Sequence, residues 1–441
     1  MRTSLRRIAL AAAIAGPALT AACTAGGSPA PGDGPKADAA QTIEVWHGWS
    51  ADHEVKAFED AVAGFRRTHP NITVKLVGDQ TDDRITNTIR GGNPPDVVSS
   101  FTTDSVGQWC QSGAWQDLSP YIRTSRLDLG LFPKAVQEYT QYKGRRCAMP
   151  LLADTYGLYY NKALMKGHQP PRTISELTDL AKRLTVRDAD GTIKVAGFMP
   201  SVQYYEHVPQ HIAPQFGVKW LTDDGRAGFA SDPAFKAYLR WQKGLVDWYG
   251  YDNVRRFLRS VGQEFEASNP FQKGKVAMAV DGEWRTKFLQ EQAPELDYGT
   301  APPPVADDLR AGYGGAFVAG TVIGVPRGAR HPQAAWEFIR YLTTDTDALV
   351  TFANALGNVP STIPALSSPK LTLPPQFHTF LDVFKHPSSS TTPPTANGND
   401  YVVKSQQFIQ DQWEPGKVPD LDRGLRDLDA KIDKALRLAG G

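Results

Sequence analysis

Hydrophobic positions in the first hundred residues alternate between two spacings, one typical of strands and one typical of helices. Short apolar or alternating runs predict three strands, at residues 43–46, 72–77 and 96–98. Apolar residues three and four apart predict two intervening helices, at residues 54–68 and 85–90. This β-α-β-α-β order predicts a mostly parallel sheet with helices on its faces, and therefore an α/β fold.

The middle and end of the chain carry further start signals. Thr173 and Glu176 form a capping box that predicts a helix through Leu184, and Asp232-Pro233 predicts a second helix start. Further patterns predict strands at residues 276–280 and 321–325, a helix at 332–342 and a polar loop at 388–399. An amphipathic terminal helix is predicted from Leu421, Leu425, Leu428, Ile432 and Leu436.

The N-terminus has the pattern of a targeting segment. Basic residues precede an apolar run from Ile8 to Leu19, which is shorter than the ~20 residues that a membrane span needs. We therefore expect a signal peptide over residues 1–22. Residues 23–40 contain almost no hydrophobic side chain besides alanine, which predicts a flexible tether.

Cys23 follows small residues and resembles the acylated cysteine of a bacterial lipoprotein box. The resemblance implies a lipid anchor at the outer face of the cell membrane. Thr20 departs from the pattern, because lipoprotein boxes usually carry Leu, Val or Ile three residues before the cysteine. A secreted protein with an incidental Cys23 is the alternative.

Charge and cysteine content exclude several classes of protein. The net charge is +1 and no basic block occurs, which argues against a nucleic-acid partner. Three cysteines are too few for a disulfide scaffold or a zinc framework. If Cys23 carries lipid, Cys110 and Cys147 remain as a pair that outside the cytoplasm forms either a disulfide or two buried thiols.

Catalytic and metal-binding motifs are missing from the sequence. The run Gly312-Tyr313-Gly314-Gly315 lacks the Lys and Ser/Thr of a phosphate-binding loop. His207 and His211 are four residues apart, but Pro209 lies between them and argues against a helical metal pair. We therefore expect neither a metal nor a cofactor.

Ten short segments, taken in order, resemble one protein family. They include Gly157-Leu158-Tyr159-Tyr160-Asn161-Lys162 and Asp281-Gly282-Glu283-Trp284. The full set is residues 43–49, 65–74, 95–98, 113–118, 148–150, 157–162, 271–278, 281–284, 325–326 and 334–342. This order resembles the extracellular solute-binding proteins of family 1 of ABC importers, the class that includes maltose-binding proteins.

The resemblance implies a two-lobed, type II periplasmic-binding-protein fold with a hinge between the lobes. Lobe 1 is expected at 41–152 and 312–348, and lobe 2 at 153–311 and 349–441. It implies a monomer that captures a mono- or oligosaccharide between the lobes and delivers it to a membrane permease. Three alternatives stay open: a glycerol phosphate compound as the solute, an adhesin without a small ligand, and a glycoside-acting enzyme that pairs Asp154 with Glu206 or Glu283.

A sugar site needs polar groups for hydroxyls and flat apolar groups for ring faces. The first and third predicted strands end at the same edge of the sheet. His47 and Trp49 follow the first strand there, and Ser100 and Phe101 follow the third.

The family resemblance adds further candidates. It places a sugar-binding carboxylate at Asp154 and a stacking aromatic at Trp284; the alternatives are a solvated hinge carboxylate and core packing. The remaining candidates are Glu283, Tyr204, Tyr205, Glu206, Gly315 and Phe317. Arg285 is the only basic residue beside these candidates, which weakens the phosphate alternative.

Overall fold

The computed structural model describes residues 40–440 of the chain. The predicted signal peptide, Cys23 and the predicted tether up to residue 39 lie outside the described residues. In the described range, we find no helix with both the length and the apolar character needed to cross a bilayer.

One mixed sheet runs through the described part of the chain. The strands are β1 (Gln41–Trp46), β2 (Ile72–Val77), β3 (Val97–Ser100), β4 (Gln141–Tyr142), β5 (Arg145–Arg146), β6 (Met149–Asn161), β7 (Val186–Arg187), β8 (Ile193–Phe198), β9 (Val276–Gly282), β10 (Tyr298–Ala301), β11 (Val318–Gly324) and β12 (Val359–Pro360). Their order is β2-β1-β3-β11-β6-β9-β8-β7, with β10 and β12 also paired to β6. The strands β4 and β5 form a separate ribbon.

Helices connect and cover these strands. They are α1 (Asp52–Thr68), α2 (Asp82–Arg90), α3 (Val106–Ser112), α4 (Ser119–Thr124), α5 (Lys134–Tyr139), α6 (Lys162–Met165), α7 (Ile174–Leu184), α8 (Pro209–Ile212), α9 (Pro233–Tyr249), α10 (Tyr251–Ser260), α11 (Arg285–Gln292), α12 (Pro332–Thr344), α13 (Thr346–Leu356), α14 (Ile363–Leu366), α15 (His378–Lys385), α16 (Asp400–Phe408) and α17 (Leu421–Leu438).

The N-terminal β-α-β-α-β prediction is confirmed. Strand β1 pairs in parallel with β2 on one side and with β3 on the other. Helix α1 buries Phe58, Val62 and Phe65, which is the apolar stripe that its spacing predicted. The carboxyl ends of β1 and β3 therefore lie at one edge of the sheet, as expected.

Strand β6 joins the two halves of the sheet. Its residues up to Thr155 pair with β11, and its residues from Tyr156 onward pair with β9. We call the β1-β2-β3-β11 side the first half and the β7-β8-β9 side the second half. The predicted α/β, two-lobed fold is confirmed. The exact lobe boundaries stay predictions, and the one at residue 348 falls inside α13, a helix that packs against α1.

The predicted helix starts are confirmed by their caps. The Thr173 hydroxyl accepts a hydrogen bond from the Glu176 amide at 3.3 Å, and the Asp232 carboxylate accepts one from the Ala234 amide at 2.8 Å. Helix α17 buries four of the five predicted apolar residues: Leu425, Leu428, Ile432 and Leu436. Sequence chemistry thus determines where these helices begin and which face they bury.

Cys110 and Cys147 form a disulfide, which resolves the alternative left open by the sequence. Their Cα atoms are 5.5 Å apart, and the bond ties α3 to the segment that enters β6. Both cysteines are fully buried beside the stacked rings of Trp109 and Trp115. Closing a loop of this length stabilises the fold by roughly 4 kcal/mol in the chain-entropy model.

Candidate functional site

Asp154 lies on β6 at the point where this strand changes partners. Its side chain is buried, with 7 % exposed. Asn358, which follows α13, donates from Nδ2 to Asp154 Oδ1 at 3.0 Å and to Glu283 Oε1 at 2.7 Å. The structure therefore brings two of the predicted site residues, Asp154 and Glu283, to one shared amide.

Glu283 and Trp284 leave the end of β9 directly beside Asp154. The Glu283 carboxylate also accepts a hydrogen bond from the Thr155 amide at 2.8 Å, and the Glu283 amide donates to the Thr155 carbonyl at 3.2 Å. A Cβ atom on Gly282 would lie 2.3 Å from the Trp284 ring, so only glycine lets this indole fold back over the strand end. The half-buried Trp284 indole therefore lies next to the Asp154–Glu283 pair.

Burial controls the protonation of these carboxyl groups. Loss of solvent raises the pKa of Asp154 to about 7, and hydrogen bonds to Glu283 and Asn358 oppose that rise. Burial and the nearby Asp154 charge raise the pKa of Glu283 well above its usual range. Burial therefore favours the neutral form of both acids, and more strongly for Glu283, which is the more deeply buried.

An aromatic cluster surrounds the Trp284 ring. Tyr156 meets Trp284 edge-on with 5.6 Å between ring centroids, and His211 stacks on Tyr156 at 3.7 Å. Phe317 is 5.6 Å from Tyr156 and 5.1 Å from His211. The indole Nε1–H of Trp284 has no hydrogen-bond partner in the described structure. An apolar wall with one free donor suits a sugar ring, which offers C–H faces and hydroxyl acceptors.

Glu206 lies between the aromatic cluster and two further acids, Glu264 and Asp281. Its carboxylate is 3.0 Å from His211 Nδ1, and burial followed by the charge of Asp281 raises its pKa to about 7. Burial and the neighbouring Glu206 raise the pKa of Glu264 to about 10. Arg285 is buried and pairs with Asp281 at 2.7 Å, so its charge is already engaged inside the protein.

The first half contributes a small pocket at the ends of β2 and β3. This cavity of about 260 Å³ includes the predicted residues Ser100 and Phe101 in its lining. The Ser100 hydroxyl donates to the Asp82 carboxylate at 2.9 Å. Ser99 Oγ and Gln80 Oε1 also line the pocket, are buried, and have no hydrogen-bond partner in the described structure. The pocket thus has two buried, unpartnered polar atoms in its lining residues, next to the half-exposed Phe101 ring.

His47 and Trp49 lie deeper than the sequence suggested. Trp49 is 4 % exposed and makes edge contacts with Phe58, Phe101 and Phe352, while His47 packs against Trp49 and Phe58. Aromatic side chains from α1 and α13 cover the end of β1 and turn both rings inward. Phe101 is the member of this group that remains exposed, and ligand contact by His47 or Trp49 stays a prediction.

Three other predicted candidates are engaged within the second half or at β11. Tyr204 is buried, and the Tyr205 hydroxyl donates to the Gly262 carbonyl at 2.5 Å. Gly315 is covered by the loop at residues 388–389, where a Cβ atom would come within 2.7 Å of Ser388. Ligand contact by these residues also stays a prediction.

Sequence reasoning missed several residues of the site. Tyr156 lies two positions after Asp154 on β6, and residues two apart on a strand share one face. Gln80 and Asp82 follow β2 at the edge where the other candidates lie. These two signals were present in the sequence. The roles of His211 and Asn358 had no such local signal, because tertiary packing brings both residues to the site.

Comparison with known proteins identifies the class. Residues 51–348 match the family model described as bacterial extracellular solute-binding protein. The match covers more than half of the chain, and the chain belongs to this family. Its described fold, with two half-sheets joined by one shared strand, is therefore that of a solute-binding protein.

Individual relatives are distant but extend over most of the chain. The maltotriose-binding protein of Pyrococcus abyssi is 22% identical over 352 residues, covering 78% of this chain and 72% of the relative. The maltodextrin-binding protein MdxE of Bacillus subtilis is 26% identical over 343 residues, covering 74% of each chain. The solved structure of CpMnBP1 with mannobiose bound matches with a TM-score of 0.79 and 26% identity, covering 89% of this chain and 100% of that one.

Proposed function

We propose that this protein is the substrate-binding component of an ABC importer and captures a mono- or oligosaccharide between its two halves. The main support for this proposal is that Asp154 and Glu283 bind one amide and that Trp284 directly follows Glu283. A carboxylate that accepts hydrogen bonds from hydroxyls lies beside an indole that covers a ring face and has a free N–H donor. A neutral carbohydrate fits both features.

The relatives support a sugar as the solute. Maltotriose and maltodextrin appear in the names of the two relatives, and mannobiose occupies the solved structure. The pocket beside Phe101 supplies further groups for a ring, since Ser99 and Gln80 hold unused oxygen atoms there. We therefore expect contacts from both halves, with Asp154 and Trp284 as the anchors.

The geometry disfavours a phosphorylated solute. Phosphate needs Arg or Lys side chains that are free to contact it. Arg285, the basic residue next to Trp284, is 1 % exposed and holds Asp281, Gln272 and the Glu264 carbonyl. With this neighbouring basic side chain engaged inside the protein, a glycerol phosphate compound is the weaker candidate.

Glycoside hydrolysis is disfavoured for a related reason. Retaining glycosidases hold their two carboxyl groups ~5–5.5 Å apart, and inverting ones further, so that sugar or water fits between. Asp154 and Glu283 both accept a hydrogen bond from the Asn358 amide. The shared amide engages both acids, and the relatives named above are binding proteins.

The working location follows from the family, which acts outside the cytoplasm. We further propose that Cys23 carries lipid and that the segment after it tethers the monomeric binding domain near a membrane permease. If so, Cys23→Ala moves the protein from the membrane fraction to the medium, and mass spectrometry of the wild-type N-terminus finds a diacylated cysteine. If the wild-type protein were found only in the medium, the proposed lipid anchor would be wrong.

The proposed mechanism is closure around the ligand. Strand β6 changes partners between Thr155 and Tyr156, so Asp154 lies where one half meets the other. A ligand that contacts both halves binds the closed arrangement more tightly and shifts the population toward it. The predicted lobes, 41–152 with 312–348 and 153–311 with 349–441, are the bodies that we expect to move.

A calorimetric titration and a product analysis test this function together. The protein is titrated with mannobiose, mannotriose and maltotriose, and with glycerophosphocholine as the phosphate control. We expect saturable heat with at least one sugar, none with the phosphate compound, and unchanged sugar by chromatography after long incubation. Cleavage of a sugar would show that the protein is an enzyme. Binding of glycerophosphocholine and of no sugar would show that the solute is a glycerol phosphate compound.

A further inference from the structure

We propose that Asn358 is a positioning residue for ligand capture: its amide holds Asp154 and Glu283 together and so fixes the polar and aromatic anchors of the site. This inference rests on the proposed function, because it concerns the same site. It assigns a role to a residue on a segment that follows α13, far in sequence from both carboxyl groups.

Three chain segments meet at this amide. Asp154 belongs to β6, Glu283 follows β9, and Asn358 comes between α13 and β12. Asn358 Nδ2 lies 3.0 Å from Asp154 Oδ1 and 2.7 Å from Glu283 Oε1, and all three side chains are buried. One neutral donor thus links two acids where an Arg or Lys would leave a buried charge.

Backbone contacts make the linkage rigid. Val359, the next residue, pairs with Ala153 on β6, which places Asn358 beside Asp154. Gly357 has a φ of 70°, a conformation that favours glycine, and this turn directs the chain from α13 toward β6. Glu283 is held by two hydrogen bonds to Thr155.

The position of Asn358 also affects Trp284, the aromatic side chain of the site. Trp284 directly follows Glu283 and folds over Gly282, so its position depends on where Glu283 is held. Asp154 is 7 % exposed, so small movements of its carboxylate decide whether a ligand can contact it. Without the amide, the two acids lose their common donor, and Asp154 is free to turn away from the ligand.

Other titratable groups lie close enough to matter in a pH experiment. They are Tyr139, Tyr156, Tyr159, Glu206 and Asp281. The three tyrosines have pKa values raised by burial and stay neutral at the pH values used. Glu206 titrates near 7, so every variant is compared with the wild type at the same pH.

The decisive variant is Asn358→Asp, which keeps the shape but removes the donor. At about pH 8 the new carboxylate repels Asp154, and we expect affinity for the best-binding sugar of the panel to fall about tenfold or more. At about pH 5.5 the added acid is protonated and donates again, so affinity should recover relative to wild type. A merely structural role would lower affinity by the same factor at both pH values.

A second variant covers the possibility that Asn358→Asp fails to fold. Asn358→Ser adds no charge but cannot reach both carboxyl groups, so we expect a similar loss that acid does not restore. Asn354→Asp is the matched control, because its amide hydrogen-bonds to the backbone of Lys370 and Thr372, away from the two acids. Wild-type affinity in both Asn358 variants would overturn the inference, whereas a wild type that binds no sugar would overturn the proposed function instead.

Discussion

The two halves of the molecule prepare their shares of the site in different ways. In the second half, side chains around Trp284 form pairs, Glu206 with His211 and Asp281 with Arg285, while the buried indole N–H of Trp284 has no partner within residues 40–440. In the first half, Ser99 and Gln80 hold buried oxygen atoms without partners. The comparison indicates that side-chain pairs already hold the polar groups of the second half in place, whereas both halves keep buried polar atoms whose hydrogen bonds are still to be made.

In both halves, an aromatic ring of the site packs directly over a glycine. A Cβ atom on Gly48 would lie 2.5 Å from the Phe101 ring, as one on Gly282 would lie 2.3 Å from Trp284. Each aromatic side chain therefore covers a glycine at or just beyond the carboxyl end of a strand. Phe101 is 48 % exposed, whereas Trp284 is half-buried among other rings. We expect the more enclosed ring to contribute more binding energy.

The largest effect is expected at the acid between the halves. Asp154→Asn keeps the shape but removes the charge that strengthens hydrogen bonds to sugar hydroxyls, by about 1.5–3 kcal/mol. We expect a roughly 10- to 100-fold loss of affinity in calorimetry at neutral pH. Asp297→Asn, which removes an exposed acid paired with Lys162, is the control and should change nothing measurable. Equal affinities for both variants would contradict the assignment of Asp154.

The aromatic platform of the second half ranks next. Trp284→Ala removes about 2 kcal/mol of apolar contact with a ring, so affinity should fall roughly 30-fold. The melting temperature of the ligand-free protein should hardly change, because one face of the indole is left for the ligand. Trp248→Ala, at an exposed tryptophan on α9, controls for loss of an indole. Large, equal losses of stability and binding would assign Trp284 to the core.

The exposed ring of the first half should matter less. Phe101→Ala is expected to weaken binding about fivefold, which corresponds to about 1 kcal/mol. Phe101→Tyr retains a flat ring and should bind as the wild type does. A loss at Phe101 that exceeds the loss at Trp284 would reverse the comparison, because it would make the open half the main anchor.

The smallest effect is a pH dependence of stability. Burial raises the pKa values of Asp154 and Glu206 to about 7 and that of Glu264 to about 10, so the folded state binds more protons than the unfolded chain between about pH 4.5 and those values. Stability from these acids therefore falls as pH rises through that window. The buried histidines have the opposite effect, but only below about pH 6.5, because their folded pKa values lie near 3 to 4. These residues are His47, His207 and His211.

Above about pH 6.5 the histidines no longer contribute, so the buried acids alone should make stability decline as the pH rises. Thermal unfolding at about pH 6.5 and about pH 8.5 tests this, with the lower melting temperature expected at the higher pH. Glu264→Gln should flatten the decline, because the amide mimics the neutral acid. A melting temperature that rises toward pH 8.5 would show that these acids are not buried as described.

Much of the fold could be predicted from local sequence chemistry. The strand at 72–77, the caps at Thr173 and Asp232 and the buried face of α17 all depend on neighbouring residues. The site residues were harder to predict, because tertiary packing determines which candidate side chains are buried. Asp154 and Glu283 share one amide and Trp284 follows Glu283, but their contact with a ligand stays a prediction. Trp49 is covered by Phe352, some 300 residues later in the chain. Asn358 could not be found from spacing, since only the return of the chain to β6 brings it to the acids.

Small-angle scattering with and without the best-binding sugar of the panel tests the central claim most directly, because the claim requires a ligand held between two bodies. We predict a smaller radius of gyration at saturating sugar, and no such change in Trp284→Ala at the same sugar concentration. An unchanged radius for a wild-type protein that is saturated by calorimetry would contradict the account, since the sugar would then bind without bringing the halves together.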